Sequence, residues 1–147
     1  MCDWKGISIA ALAMGVIGMA WHTVESILTM GYYTDPAYYS IWSKLMMPAA
    51  GPPPASFMAL SFAFGLVGWA IFAFVYAKLG SAIKQKDELK KGLKFGALAF
   101  LIAGIPNSLT MYLLLNIPTG LLAAWMVSPF MLYLTGGMVC AQLVKAD

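Results

Sequence analysis

Four long apolar stretches constrain the fold of this chain more than any other feature. They cover approximately residues 7–30, 55–78, 93–115 and 119–143. A helix needs about 20 apolar residues to cross the hydrocarbon core of a bilayer, where backbone polar groups must bond within the helix. We therefore predict an all-α membrane protein with a single domain, residues 1–147, in which four transmembrane helices form an antiparallel bundle.

The few charged residues predict the orientation of these spans. Only 10% of the residues are charged, and all nine basic residues are lysines. Six of them lie from Lys78 to Lys94, around the connection between spans two and three, while Lys5 and Lys145 lie near the chain ends. Positive residues stay preferentially on the cytoplasmic side. We predict a multi-pass protein of the cytoplasmic membrane with both termini in the cytoplasm. We interpret the net charge of +3 as a signal of this topology and not as a sign of nucleic-acid binding.

The connection between spans one and two, residues 31–54, contains five of the eight prolines. Asp35 precedes one of them, which is a helix-start signal because an aspartate caps free backbone N–H groups. Apolar and aromatic residues then recur at helical spacing. The pattern predicts a short amphipathic helix over about residues 36–47, which lies in the outer membrane interface with Tyr38 and Trp42 as anchors.

Small residues follow one face of span one and one face of span three. Helices in membranes associate through such residues because lipid tails provide no hydrophobic drive for association. The predicted packing seam comprises Ala11, Gly15, Gly18, Gly92, Gly96 and Ala103. Pro106 and Pro129 interrupt spans three and four and remove a backbone hydrogen bond each, so we expect kinks that leave room for a cavity or a lipid tail.

Polar residues within spans one and three form the candidate functional site. Counting 1.5 Å per residue from the lysines that precede these spans places His22 about 25 Å and Asn107 about 20 Å across the membrane. Glu25 lies one turn after His22, and Thr110 lies one turn after Asn107. We predict that these four residues converge in one polar layer in the outer half of the bilayer, as a ligand or proton site.

Several roles for this layer remain open. His22 and Glu25 serve either in packing and interface anchoring or in function, since ionisable groups within a membrane are costly. As alternatives, His22 ligates a haem, whose second ligand comes from a methionine or a symmetry mate, or Glu25 and His22 couple a transport step to protons. No other metal site is expected, because two cysteines and one histidine do not complete a zinc site.

Catalytic motifs are missing from the sequence. It contains no HExxH, no GxSxG and no glycine-rich phosphate loop. We therefore expect a protein that is not an enzyme: an accessory or structural subunit of a membrane complex, or a homo-oligomer, whose partners are the lipid bilayer and other membrane subunits. The alternative is a protein that binds haem, quinone or lipid, or a transporter, using the His22, Glu25 and Asn107 layer.

The second half of the chain carries a family resemblance. Residues 91–122, KGLKFGALAFLIAGIPNSLTMYLLLNIPTGLL, combine a lysine-flanked glycine entry, a mid-helix proline and a short proline-bearing hairpin. In this it resembles the small uncharacterised four-span membrane proteins of bacteria and archaea, which implies a four-helix fold and no particular activity. The IPTGLLAAW stretch from Ile117 is also similar to the small multidrug-resistance transporters. Their glutamate lies deep in span one, whereas Glu25 lies near its far end, so their function is not carried over.

Overall fold

A computed structural model describes residues 3–48 and 52–146 of the protein. The described residues form helices and connections, with no β-strand among them. The helices are α1 (Trp4–Leu28), α2 (Met30–Thr34), a 3-10 helix (Pro36–Ile41), α3 (Ala55–Leu79), a 3-10 turn (Gly80–Ala82), α4 (Glu88–Ala99), a π-helical turn (Phe100–Gly104), α5 (Ile105–Leu114) and α6 (Thr119–Leu143).

The prediction of four long apolar helices is confirmed. Within the described ranges, four helical stretches are long and apolar enough to cross a membrane, judged by length and composition. The π-helical turn joins α4 and α5 into one of them, and the 3-10 turn extends α3. The four stretches are Trp4–Leu28, Ala55–Ala82, Glu88–Leu114 and Thr119–Leu143.

Two aspartates determine where helices begin. The Asp3 carboxylate accepts a hydrogen bond from the Gly6 N–H at 3.0 Å and another from the Lys145 N–H at 3.0 Å. It thereby caps α1 and connects that cap to the chain beyond α6. The hydrogen bonds from Lys145 and Gly6 hold the pKa of Asp3 below its usual value. Asp87 caps α4 in the same way, accepting from the Lys90 N–H at 2.8 Å.

The helix predicted over residues 36–47 is shorter than expected. The 3-10 helix Pro36–Ile41 is all that forms, capped by Asp35, whose carboxylate accepts from the Ala37 N–H at 2.9 Å. Trp42 then adopts an extended backbone, with φ −79° and ψ 139°, and its side chain is buried. Burial of a large indole offsets the loss of helical hydrogen bonds, so the chain leaves the helix at this residue.

The closest approach between helices is that of α4 and α6. A Cβ atom added at Gly92 would lie 2.7 Å from the Met138 Cα, and one added at Gly96 would lie 2.8 Å from the Tyr133 carbonyl carbon. From the other side, a Cβ added at Gly137 would lie 2.9 Å from the Gly96 nitrogen. The two backbones are therefore in van der Waals contact, which only glycine permits at these positions.

The main core lies at one end of the molecule, here called the terminal end, which comprises residues 3–10, 72–95 and 140–146. Phe95 packs edge to face on Phe72 and on Tyr76, with centroids 5.1 Å apart in both pairs. Such aromatic pairs add about 0.5–1.5 kcal/mol each beyond the area they bury. The buried residues of this core are Ile7, Ala10, Phe72, Ala73, Tyr76, Ala77, Phe95, Cys140, Ala141 and Val144.

The small residues of α1 face α3. Ala11, Gly15 and Gly18 are buried. A Cβ atom at Gly15 would lie 2.6 Å from the Leu66 side chain, and one at Gly18 would lie 3.5 Å from the Trp69 indole nitrogen. These contacts bring α3 close to α1 along its middle turns.

Pro106 is accommodated by the π-helical turn that precedes it. The Ile105 N–H bonds to the Phe100 carbonyl, five residues back. The Phe100 ring lies over Gly104, where an added Cβ would be 2.6 Å from the ring's Cε2 atom. The wider turn rotates the following helix relative to α4. This rotation explains why Ala103 is exposed while Gly92 and Gly96, on the same predicted seam, are buried.

The α4–α6 contact predicts a sharp difference between two glycines. Gly96→Ala places a methyl group against the α6 backbone and forces the helices apart, so it should destabilise the fold by about 1–3 kcal/mol. Gly65→Ala is the matched control, because nothing lies within 4 Å of a Cβ at that position. The measurement is the free energy of unfolding of each variant in mixed micelles of mild detergent and sodium dodecyl sulfate. Equal stability of the two variants contradicts the close contact between α4 and α6.

Candidate functional site

His22 and Glu25 form a pair on α1. The imidazole Nδ1 and the Glu25 Oε2 are 2.9 Å apart, as expected for side chains one helical turn from each other. The two environments differ: the His22 side chain is 58% exposed, and that of Glu25 is 11% exposed. The carboxylate orients the ring and leaves Nε2 on the open side of the molecule.

Asn107 and Thr110 are exposed on α5. Helix α5 packs on α6 and on the π-helical turn, whereas α1 packs on α3 and α6. Within residues 3–48 and 52–146, no hydrogen bond joins His22 or Glu25 to Asn107 or Thr110. The structure thus pairs His22 with Glu25 on α1, and among the described residues no hydrogen bond joins that pair to Asn107 or Thr110 on α5. The polar layer of all four residues stays a prediction.

An aromatic cluster lies at the opposite end from the core, here called the hairpin end, which comprises residues 21–48 and 115–125. Tyr33 stacks on Trp42 with centroids 4.7 Å apart, and Trp42 meets Trp125 edge-on at 6.0 Å. Tyr33 also hydrogen-bonds with Trp125 and Thr29. Three separate segments, α2, the chain after the 3-10 helix, and α6, therefore meet in this cluster.

The cluster is coupled to Glu25. Burial raises the pKa of Tyr33, the hydrogen bonds with Trp125 and Thr29 lower it, and the negative charge of Glu25 raises it. The Thr29 hydroxyl donates to the Glu25 carbonyl at 2.7 Å, which ties the cluster to the last turn of α1. One sequence signal could have indicated this connection. Four residues are spaced four apart and so share one helical face: Trp21, Glu25, Thr29 and Tyr33. We did not predict the connection from this spacing.

Three buried polar atoms near this end of the protein have no hydrogen-bond partner among the described residues. They are Glu25 Oε1 and the indole nitrogens of Trp21 and Trp42. Trp21 and Glu25 lie four residues apart, on one face of α1. An unsatisfied buried polar group costs about 1–3 kcal/mol. This concentration of unpaired donors and an acceptor distinguishes the hairpin end from the closely packed terminal end.

The residues present fit a haem or a metal ion poorly. Among the described residues, no group of three or more His, Cys, Asp or Glu side chains is placed to hold a metal ion. His22 offers Nε2 as a single axial ligand on an exposed face. A porphyrin ligated there would need an enclosing wall from another molecule.

Comparisons with known proteins assign no function to the chain. No family model, curated protein or solved structure matches the chain. The resemblance of residues 91–122 to small four-span membrane proteins stays a prediction. The arrangement of polar and aromatic side chains at the hairpin end therefore carries the functional argument.

The aromatic cluster generates a titration prediction. Trp125→Phe removes an indole donor that stabilises the Tyr33 phenolate, so the pKa of Tyr33 should rise further above its ordinary value of 10.0. The measurement is the tyrosinate absorbance titration of each protein after subtraction of its Tyr33→Phe counterpart. Trp4→Phe, at an exposed tryptophan on the terminal end, is the control and should leave the titration unchanged.

The sign of the linked stability change follows from the raised pKa. Above pH 10.0 the unfolded chain releases this proton while the folded protein retains it, so the contribution of Tyr33 is complete below that pH and is lost as the pH rises. An unchanged or lowered pKa of Tyr33 in Trp125→Phe contradicts the hydrogen-bonded arrangement.

Proposed function

We propose that this chain is an integral membrane protein of the cytoplasmic membrane, an antiparallel four-helix bundle without catalytic activity, that works as a homo-oligomer or as an accessory subunit of a larger membrane complex. Contacts between α1 and α3 support the antiparallel arrangement, because early residues of one meet late residues of the other. Trp4 stacks on Phe74 at 6.0 Å, while Gly15 faces Leu66.

The charge distribution supports the proposed orientation. The terminal end contains the chain ends and the lysine-rich connection, and the hairpin end holds the tyrosines and tryptophans of the aromatic cluster. Lysines favour the cytoplasmic side, and tyrosine and tryptophan favour membrane interfaces. The hairpin end is therefore the outer one in this proposal.

One observation carries the proposed role: ionisable and amide side chains are exposed on helices that are long and apolar enough to span a membrane. His22 is 58% exposed and lies about 27 Å along α1 from Trp4, within a hydrocarbon core about 30 Å thick. Asn107 is exposed on α5 and has no hydrogen-bond partner within the described ranges. Polar groups facing lipid are costly, and a neighbouring helix that hydrogen-bonds them removes this cost.

A second candidate function is binding of a lipid, a quinone or another small molecule at the hairpin end. The unpaired atoms of Trp21, Glu25 and Trp42 favour it. Proton-coupled transport through Glu25 and His22 requires an oligomer, because a single four-helix chain encloses no path of its own. Both alternatives share the membrane-embedded bundle with the preferred one.

Site-specific crosslinking in native membranes tests the proposed role. A photoreactive benzoylphenylalanine at position 22 or 107 should form adducts with protein, because these positions contact a neighbouring helix. Position 113 is the control, since Leu113 is 79% exposed and apolar, and it should react mainly with lipid. Exclusive lipid adducts at positions 22 and 107 contradict the proposal.

Substitution of Asn107 measures how strongly this side chain contributes to association. Asn107→Leu should weaken association in liposomes, measured by energy transfer between labelled chains or subunits as lipid is added. One interhelical hydrogen bond in a membrane contributes about 0.6–1.7 kcal/mol, so the loss should be about 3- to 20-fold. Leu113→Ala, on the same helix, should leave the association unchanged.

A further inference from the structure

A depression of about 260 Å³ lies between the end of α1 and the chain that follows it. Its lining combines one acidic side chain, two tyrosine rings and one leucine. The residues are Leu28, Thr29, Gly31, Tyr32, Asp35 and Tyr38. Its lining includes none of Tyr33, Trp42, Trp125, His22 and Glu25, and it adjoins them through Thr29.

The two tyrosine rings form the walls of an open angle. The centroids of Tyr32 and Tyr38 are 6.0 Å apart, and the ring planes are inclined by 56°. Both rings line the depression, and a cation bound between them needs to lie within about 6 Å of each ring centroid for a cation–π interaction. The Tyr32 hydroxyl abuts Gly120 at the start of α6, where an added Cβ would meet it, so this ring is held in place.

Asp35 supplies the negative charge. Its Oδ1 accepts from the Ala37 N–H at 2.9 Å, and within the described residues no lysine forms an ion pair with it. The second oxygen, Oδ2, accepts no hydrogen bond among the described residues. The lining of the depression contains no basic side chain to compensate this charge.

The chemistry of the lining distinguishes two kinds of organic cation. A primary ammonium carries three N–H donors and needs acceptors for them. A quaternary ammonium donates no hydrogen bond and is attracted to aromatic faces and to a nearby carboxylate. Two tyrosine faces with a single free carboxylate oxygen match the quaternary ammonium.

The surroundings of the depression point to a lipid as the source of this group. Leu28 lines the depression and is 80% exposed, and Leu113 and Leu114, near the end of α5, are 79% and 75% exposed. A second depression, of about 290 Å³, shares Tyr38 and reaches Leu114 and Leu115. An amphiphile with its head between the tyrosines thus has apolar surface beside it for its chains.

We infer that the depression between Tyr32, Tyr38 and Asp35 binds the quaternary ammonium head group of a choline phospholipid. The rings and the carboxylate recognise the cation, and the exposed leucines contact the acyl chains. This site goes beyond the proposed subunit role and does not require a second protein chain.

Native mass spectrometry of the purified full chain tests the inference. The protein is equilibrated in detergent with equal amounts of phosphatidylcholine, phosphatidylethanolamine and phosphatidylglycerol that share the same acyl chains. We expect preferential retention of phosphatidylcholine. Tyr38→Leu should reduce that preference about two- to fivefold through loss of one cation–π contact, whereas Tyr38→Phe keeps the ring and should retain it.

Matched aspartates separate charge from capping. Asp35→Asn should weaken retention of phosphatidylcholine, because asparagine keeps the cap and removes the charge. Asp87→Asn, at the cap of α4 on the terminal end, should have no effect. Competition by glycerophosphocholine, which lacks acyl chains, distinguishes recognition of the head group alone from recognition of the whole lipid. We expect this compound to compete weakly. Competition as strong as that of the lipid overturns the role of the leucines.

Two results overturn the site itself. One is equal retention of the three lipids by the unaltered protein, or a preference for phosphatidylethanolamine. The other is unchanged selectivity in Tyr38→Leu. The same spectra give the number of chains in each species, so lipid selectivity and subunit association are read independently, and failure of one leaves the other measurable.

Discussion

The direct contact between the backbones of α4 and α6 determines how the other helices are arranged. Gly92, Gly96 and Gly137 leave no side chain between the two helices, so the two backbones are in van der Waals contact. In the proposed bilayer, which provides no hydrophobic drive for association, such contact holds helices together. This approach also brings Phe95 against Phe72 and Tyr76 of α3. The aromatic core of the terminal end therefore depends on the absence of three side chains.

The two ends of the bundle consequently differ in character. At the terminal end, Asp3 ties the start of α1 to Lys145, and the core is closed. At the hairpin end, buried polar atoms of Trp21, Glu25 and Trp42 lack partners among the described residues. Unpaired polar groups in an otherwise well-packed protein are expected where a protein meets other molecules. Stability and interaction are thus divided between the two ends.

Sequence patterns predicted the parts of this fold that local chemistry controls. Four apolar helices and the Asp35 cap follow from length, hydropathy and capping preference. The π-helical turn adjoins Pro106, where the sequence predicted an interruption. The early end of the helix before Trp42 coincides with burial of the Trp42 side chain, which no local pattern specifies. The depth of His22 and Asn107 was calculable from helical rise. The sequence does not reveal which helices are neighbours. It therefore could not decide whether the His22–Glu25 pair meets Asn107 and Thr110.

Threading of the chain through the bilayer is the claim on which the proposed roles of His22, Asn107 and the tyrosine depression all depend. The direct test is labelling of single cysteines with a membrane-impermeant maleimide, in a chain whose Cys2 and Cys140 are replaced by alanine. Ser40→Cys and Lys86→Cys are suitable because both positions are exposed, one at each end of the bundle. The account predicts that position 40 reacts in intact cells and position 86 reacts only after permeabilisation. Reaction of both positions from the same side of the membrane would contradict it.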